Sequence, residues 1–342
     1  MLYPEELFRK TIFISLLIAI LVVFILSYSL FFVDKKISSL YFILNKLKTV
    51  KTIDEKKYIK PFLTNLILKE ISERQPDELY ILSLQTALDI LHNIKDKKQF
   101  EDIAFFLSDA LRLKEQKRAK LFLKLDKIII WLLGSEFRIK PEKGYKIKPK
   151  ELLEKIKATK DIKEKQRYLY ELVDIYISKD DISSAIDTLK EVINLDSHGI
   201  YSLRAEYKLA LLYKLTGEIE SAEELFKKIS QEGIDYKFSL YSKYLLGSIY
   251  EYKEAFSNAK NLYDSLKLSL TDAYLIELST FKEGYIYLYS HKDYKSSLDI
   301  YENMVLKFPQ DNLMKHINTI LIPRIGTYYR DLGFDLLIQK KY

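Results

Sequence analysis

Residues 209–226 read LALLYKLTGEIESAEELF, and this stretch decides the fold. Its apolar residues recur at helical spacing up to Leu215, Gly217 marks a helix stop, and Ala222 and Phe226 open a second apolar face four residues apart. The same arrangement returns along the chain. Ala185, Ala222, Ala259 and Ser297 are spaced 37, 37 and 38 apart, and four residues after them stand Leu189, Phe226, Tyr263 and Tyr301. Nine before each small residue come Tyr176, Tyr213, Tyr250 and Leu288; twelve before come Val173, Ala210, Gly247 and Tyr285, with Gly284 adjacent. A unit of this kind cannot bury its apolar face alone, whereas stacked neighbours bury one continuous core.

These columns resemble the tetratricopeptide-repeat (TPR) family, in which two antiparallel helices form each unit, small residues lie where they cross and large aromatics fill the gap between units. The resemblance covers about residues 166–311, and Gly326, Tyr329 and Gly333 look like the first helix of a truncated further unit. The period of 37 exceeds the usual period of about 34 and implies longer turns or an extra helical turn. What the resemblance implies is an all-α superhelical array that binds other proteins without catalysis, with the first helix of each unit on the concave side. Positions two and five of that helix commonly face the groove. Here they are Arg167, Arg204, Tyr241 and Ser279, and Tyr170, Tyr207, Tyr244 and Lys282. The candidate partner-binding set is therefore Arg167, Tyr170, Arg204, Tyr207, Tyr241 and Tyr244. Arg offers a bidentate carboxylate grip and Tyr a rigid amphipathic surface. The alternative reading packs the tyrosines between neighbouring helices and leaves the arginines solvated.

Upstream, Thr11 to Val33 runs 23 residues without a charge, between Arg9 and Lys10 on one side and Asp34, Lys35 and Lys36 on the other. As a helix it is about 34 Å long, enough to cross a hydrocarbon core of about 30 Å. The expectation is a single-pass anchor in a bacterial inner membrane. The ten-residue cationic leader is shaped like a signal anchor and places the large domain in the periplasm. Lys35, Lys36, Lys46, Lys48 and Lys51 pull toward the cytoplasmic alternative. The expected organisation is a leader (1–10), the anchor (11–33), a helical region that is a bundle or divergent repeats (34–134), a linker (135–149) and the solenoid (150–342). Within the helical region, helices are predicted at about 56–74, 77–95, 99–115 and 117–133. The linker SEFRIKPEKGYKIKP carries two Pro and a Gly without clear periodicity.

Composition removes most chemistry. The chain has 0 Cys and 4 His, at positions 92, 198, 291 and 316, and only 9 Gly in 342 residues. Thiol catalysis and cysteine metal sites are excluded, and no HExxH, GxSxG or glycine-rich phosphate loop is present. The expectation is no cofactor, no metal and no enzyme activity. The formal charge of +7 rests on 55 cations of which nine are Arg, the lysines alternating with acids as on a solvated surface, so nucleic-acid binding is not expected. The resulting functional expectation is a membrane-anchored scaffold in a bacterial envelope complex, compatible with homo- or hetero-oligomers. The layout is similar to that of the TPR-type proteins of the spirochaetal periplasmic flagellar collar. The alternative is a translocon or envelope-assembly accessory with chaperone-like client binding.

Overall fold

The computed structural model describes residues 56–73, 76–96, 98–113, 149–197, 199–231, 236–268, 272–309 and 311–339. All of them belong to one compact unit, Lys51–Tyr342, and all regular structure among them is helical. The expected span Thr11–Val33, the 117–133 helix and nearly all of the 135–149 linker lie outside the described residues. Among those described, no helix is long and apolar enough to cross a membrane.

Three helices come first, α1 (Lys56–Ile71), α2 (Glu78–His92) and α3 (residues 99–113). After α4 (Pro149–Ala158) come four helix pairs. They are α5 (Ile162–Ser178) with α6 (Ile182–Leu195), α7 (Ile200–Thr216) with α8 (Ile219–Gln231), α9 (Tyr236–Tyr252) with α10 (Phe256–Lys267), and α11 (Ala273–Ile286) with α12 (Tyr294–Lys307). The chain closes with α13 (Asn312–His316), a π-helical turn (Ile317–Leu321) and α14 (Ile322–Gln339). Each helix of the four pairs packs on the one before and the one after, as a stacked solenoid requires.

The second helix of each pair is amphipathic, and its buried stripe repeats at i, i+4 and i+7. The stripes are Ala185, Leu189 and Val192; Ala222, Phe226 and Ile229; Ala259, Tyr263 and Leu266; and Ser297, Tyr301 and Met304. The small residue lets the two helices of a pair approach, and the large one fills the space beyond it. First helices behave differently. In α7 every residue from Ala205 to Tyr213 is buried, and a helix buried all round has neighbours on every side. Their second sheath is the amino-terminal hairpin: α1 packs on α5 and α7, and α2 packs on α9.

The turns inside the pairs repeat as strictly as the helices. One residue in each is left-handed: Asp180 (φ 64°), Gly217 (φ 94°), Glu254 (φ 57°) and Lys292 (φ 54°). The next residue's N–H closes the first helix by bonding the carbonyl of Tyr176, Tyr213, Tyr250 or Tyr287, at 2.8–3.0 Å. Three of these bonds span five residues and the fourth, Asp293 to Tyr287, spans six. The additional residue sits in the π-helical turn Tyr287–His291 that continues α11, since a π turn holds one residue more than an α turn.

This placement corrects the register expected for the fourth unit. Its first helix keeps the 37-residue spacing up to the π turn, so the equivalents of Tyr241, Tyr244, Gly247 and Tyr250 are Leu278, Phe281, Gly284 and Tyr287, rather than Ser279, Lys282, Tyr285 and Leu288. Packing agrees. The ring pairs Tyr207 with Phe226, Tyr244 with Tyr263 and Phe281 with Tyr301 recur at centroid distances of 6.1, 5.8 and 6.0 Å.

The glycines of this column mark the tightest crossings. A Cβ at Gly247 would stand 2.7 Å from the Tyr263 ring, and one at Gly284 would stand 2.7 Å from the Tyr301 ring. Tyr263 is fully buried and its hydroxyl bonds the Glu251 carboxylate, so the ring is held in place. Overpacking of this kind costs about 1–3 kcal/mol, against about 1 kcal/mol that alanine gains over glycine in helix propensity. Gly247→Ala is therefore expected to lower the urea midpoint. Gly326→Ala in α14, where a Cβ meets nothing within 4 Å, is expected to raise stability by about 0.5–1 kcal/mol. Equal behaviour of the two variants would contradict the close crossing at Gly247.

Candidate protein-binding groove

The concave face made by the first helices is occupied by the chain itself. In α2 every residue from Tyr80 to Ala87 is buried, including Ser83, Gln85 and Thr86. Polar groups so placed need partners, and most find them in the groove. Thr86 Oγ1 lies 2.6 Å from the Tyr244 hydroxyl, Lys214 Nζ donates to Gln85 Oε1 at 2.9 Å, and Ser83 Oγ donates to the Phe106 carbonyl at 3.1 Å.

Asp89 of α2 is the centre of this docking. Its carboxylate accepts from Lys214 of α7 at 2.9 Å and from Ser248 of α9 at 2.8 Å, and Lys282 of α11 stands at 3.5 Å. Burial alone would raise the Asp89 pKa, but Lys214 and Lys282 outweigh it and hold the group below its ordinary value. Lys282, itself 1% exposed, also donates to Glu251 at 2.8 Å. Burial opposes its charge, and the Glu251 and Asp89 carboxylates prevail, keeping it a cation.

Further along, Asp102 of α3 clamps the carboxyl-terminal helices. It accepts from Arg324 at 2.7 Å and lies 2.9 Å from His316 Nε2. Arg324 also donates to the Lys98 carbonyl at 3.0 Å and to Glu101 at 2.9 Å, while the His316 ring stacks on Phe105 at 4.3 Å. Asp109 accepts from the Tyr274 hydroxyl at 2.6 Å. These bonds fix α3 against α11, α13 and α14. Of the histidines, His198 lies outside the described residues, and among those described no group of His, Asp or Glu is placed to hold a metal ion.

The six candidate residues do not form one open row. Arg167 is on the surface, 3.6 Å from Glu164 and 4.8 Å above the Tyr168 ring. Tyr241 is buried with its hydroxyl 3.5 Å from Asp272, and Tyr244 is fully buried against Thr86. The remaining three meet. Tyr170, Arg204 and Tyr207 line a cavity of about 310 Å³ between α1, α2, α5, α7 and α9, whose other walls are Ile71, Pro76, Glu78, Ile81, Lys208, Leu211 and Phe238. Lys208 is paired with Asp174 at 2.5 Å and sits 4.3 Å from the Tyr170 ring. The Tyr207 hydroxyl and Glu78 Oε2 are buried without a hydrogen-bond partner. A second cavity of about 440 Å³ lies where the carboxyl-terminal ends of α2, α7 and α9 come together, lined in part by Lys57, Lys60, His92, Lys214 and Tyr252. Its lysines offset the negative ends of the three helix dipoles. Sequence reasoning missed Glu78, Asp89 and Asp102 because it sought binding groups on the repeats alone. The signal was present in the run LYILSLQTALDIL, which has no continuous polar face although Ser, Gln, Thr and Asp interrupt it.

Residues 166–198, which contain most of α5 and all of α6, match the family described as tetratricopeptide repeat. No curated protein matches the chain. The match covers the first helix pair, and the three packed pairs that follow repeat its two-helix architecture. Folds of this family are generally non-catalytic scaffolds that bind other proteins.

Glu78 makes the cavity sensitive to pH. Burial pushes its carboxyl up to about 7, with Lys208 and Lys237 pulling it back. A carboxyl whose native pKa is raised binds its proton more tightly in the folded state. Its contribution to stability is complete below its ordinary pKa and is lost as pH rises toward 7. At about 1.4 kcal/mol per pKa unit, the loss is on the order of 3–4 kcal/mol. Glu78→Gln is expected to match the parent near pH 4 and to exceed it by a margin on that order at pH 8, measured by urea unfolding across the range. A difference independent of pH would show that Glu78 titrates normally in the folded protein.

Proposed function

We propose that the protein is a membrane-tethered scaffold of a bacterial envelope complex, engaging another protein at the amino-terminal mouth of its groove. The observation that carries this reading is the sharing of one open cavity by Tyr170, Arg204 and Tyr207, beside an exposed Arg167, while α2 and α3 fill the middle of the concave face. Tyr and Arg are the residues that most often anchor interfaces. The uncharged run Thr11–Val33 supports the tether, and Arg9 and Lys10 against its amino-terminal side support a periplasmic position for the large domain. A periplasmic flagellar collar is one assembly with which this layout is compatible. Chaperone-like capture of extended clients is the weaker reading, because α2 and α3 fill the groove and leave no continuous apolar channel among the described residues.

Two measurements test this reading. An alkaline phosphatase fusion after Tyr342 is expected to be active, whereas fluorescence from a cytoplasm-only reporter at the same position would reverse the topology. A photo-crosslinking residue at Arg167 or Arg204 is expected to trap a discrete protein adduct in intact cells, and the same probe at Lys227 on α8 is not. Adducts from Lys227 alone would move the interface to the outer helices.

A further inference from the structure

The cavity at the mouth of the groove has a chemical bias that the repeat itself does not require. Arg204 is exposed at its rim, and no acid among the described residues pairs with it. Tyr207 is 3% exposed, and its hydroxyl, buried in the cavity wall, has no partner. Glu78 Oε2 has none either. The first turns of α2 and α9 open on the same space through Glu78 and Phe238, the flank of α7 lines it with Arg204, Tyr207 and Leu211, and the last residue of α1, Ile71, lines it as well. The carboxylate of Asp174 is already taken by Lys208. Around these polar groups stand Ile71, Ile81, Leu211 and the ring of Phe238. Donors thus stand beside an apolar hollow, and among the described residues no acceptor satisfies them.

We propose that this cavity binds the carboxylate of an apolar organic acid, with the acid's aromatic or branched group against Leu211 and Phe238 and its carboxylate toward Arg204 and the Tyr207 hydroxyl. A volume of about 310 Å³ is at the small end of ligand pockets, which suits a compact acid and excludes a nucleotide-sized one. The guanidinium gives a charge-assisted hydrogen bond and the phenol a neutral one. Glu78 adds a third donor when protonated. Its proton is held up to about pH 7, because burial outweighs the Lys208 and Lys237 charges, and the Asp77 and Glu70 carboxylates act in the same direction as burial. The same chemistry is offered by a free small acid and by the chain end of a protein that terminates in an apolar residue.

The test uses the full chain in detergent micelles and 3-phenylpropionate as the probe, titrated by calorimetry beside the neutral isostere 3-phenylpropionamide. The acid is expected to bind in the millimolar range or tighter, and the amide about tenfold more weakly. Arg204→Gln and Tyr207→Phe are each expected to weaken the acid several-fold while leaving the amide and the thermal midpoint unchanged. Equal affinity for acid and amide, acid affinity untouched by both substitutions, or no heat from the acid at millimolar concentration would each overturn the proposal. The dipeptide acetyl-Ala-Phe with a free carboxylate separates the two sources. Binding about tenfold tighter than the small acid assigns the site to a protein chain end, and equal or weaker binding assigns it to a free acid. The readout does not involve the crosslinked partner, so failure of the scaffold reading and failure of this site are distinguishable.

Discussion

A carboxylate buried in the middle of a helix is costly unless charged and polar donors meet it from fixed directions. Asp89 meets this condition by taking its donors from three successive repeats, Lys214 on α7, Ser248 on α9 and Lys282 on α11. Sliding α2 along the groove by one turn would separate the carboxylate from all three and strand Lys282 beside Glu251. Rotating it would carry Thr86 away from Tyr244. The axial position of α2, and through it that of α3, is therefore set by charge, while the apolar residues of the hairpin supply the area that holds it there. The clamp of Asp102 on Arg324 and His316 repeats the same logic at the far end of the solenoid.

Much of this was legible in the sequence. The small and large columns of the second helices follow from period and residue size, and all eight of Ala185, Ala222, Ala259, Ser297, Leu189, Phe226, Tyr263 and Tyr301 are fully buried. The fourth unit was misread by one residue in its first helix. A repeat aligned on its second helix assigns an insertion to no particular place, and only the hydrogen bond from Asp293 to Tyr287 locates it in the π turn. The groove was the larger omission. Tyr and Lys at concave positions look the same whether they await another protein or receive the chain's own helix, since both uses select amphipathic side chains that hydrogen-bond at their tips. Tyr244 bound to Thr86 and Lys214 bound to Asp89 are interface chemistry turned inward.

Two ends of the groove remain accessible, and they differ in electrostatic character for a geometric reason. First helices run in the same sense in every unit, so their amino ends gather on one edge of the solenoid and their carboxyl ends on the other. At the carboxyl edge Lys57, Lys60 and Lys214 line the cavity and balance the exposed carbonyls. At the amino edge Arg204 is exposed at the rim, and burial raises the carboxyl of the one acid in the described wall, Glu78, to about 7. The two cavities thus resemble each other in walls and differ in what their polar groups still lack.

Whether the filled groove could serve as a switch, with α2 and α3 leaving to admit another protein, is decided by the charges that departure would expose. Removal would leave Lys282 with Glu251 alone, Lys214 without Asp89 and Arg324 without Asp102, and would return to water the apolar faces that α2, α3 and the first helices bury against one another. A competing segment would have to replace a carboxylate at Asp89, a second at Asp102 and a hydroxyl at Thr86, all in the register of three repeats. An unrelated sequence meets those conditions rarely. The amino-terminal hairpin is accordingly part of the core of this fold, and recognition of other molecules falls to the surfaces that the hairpin leaves open.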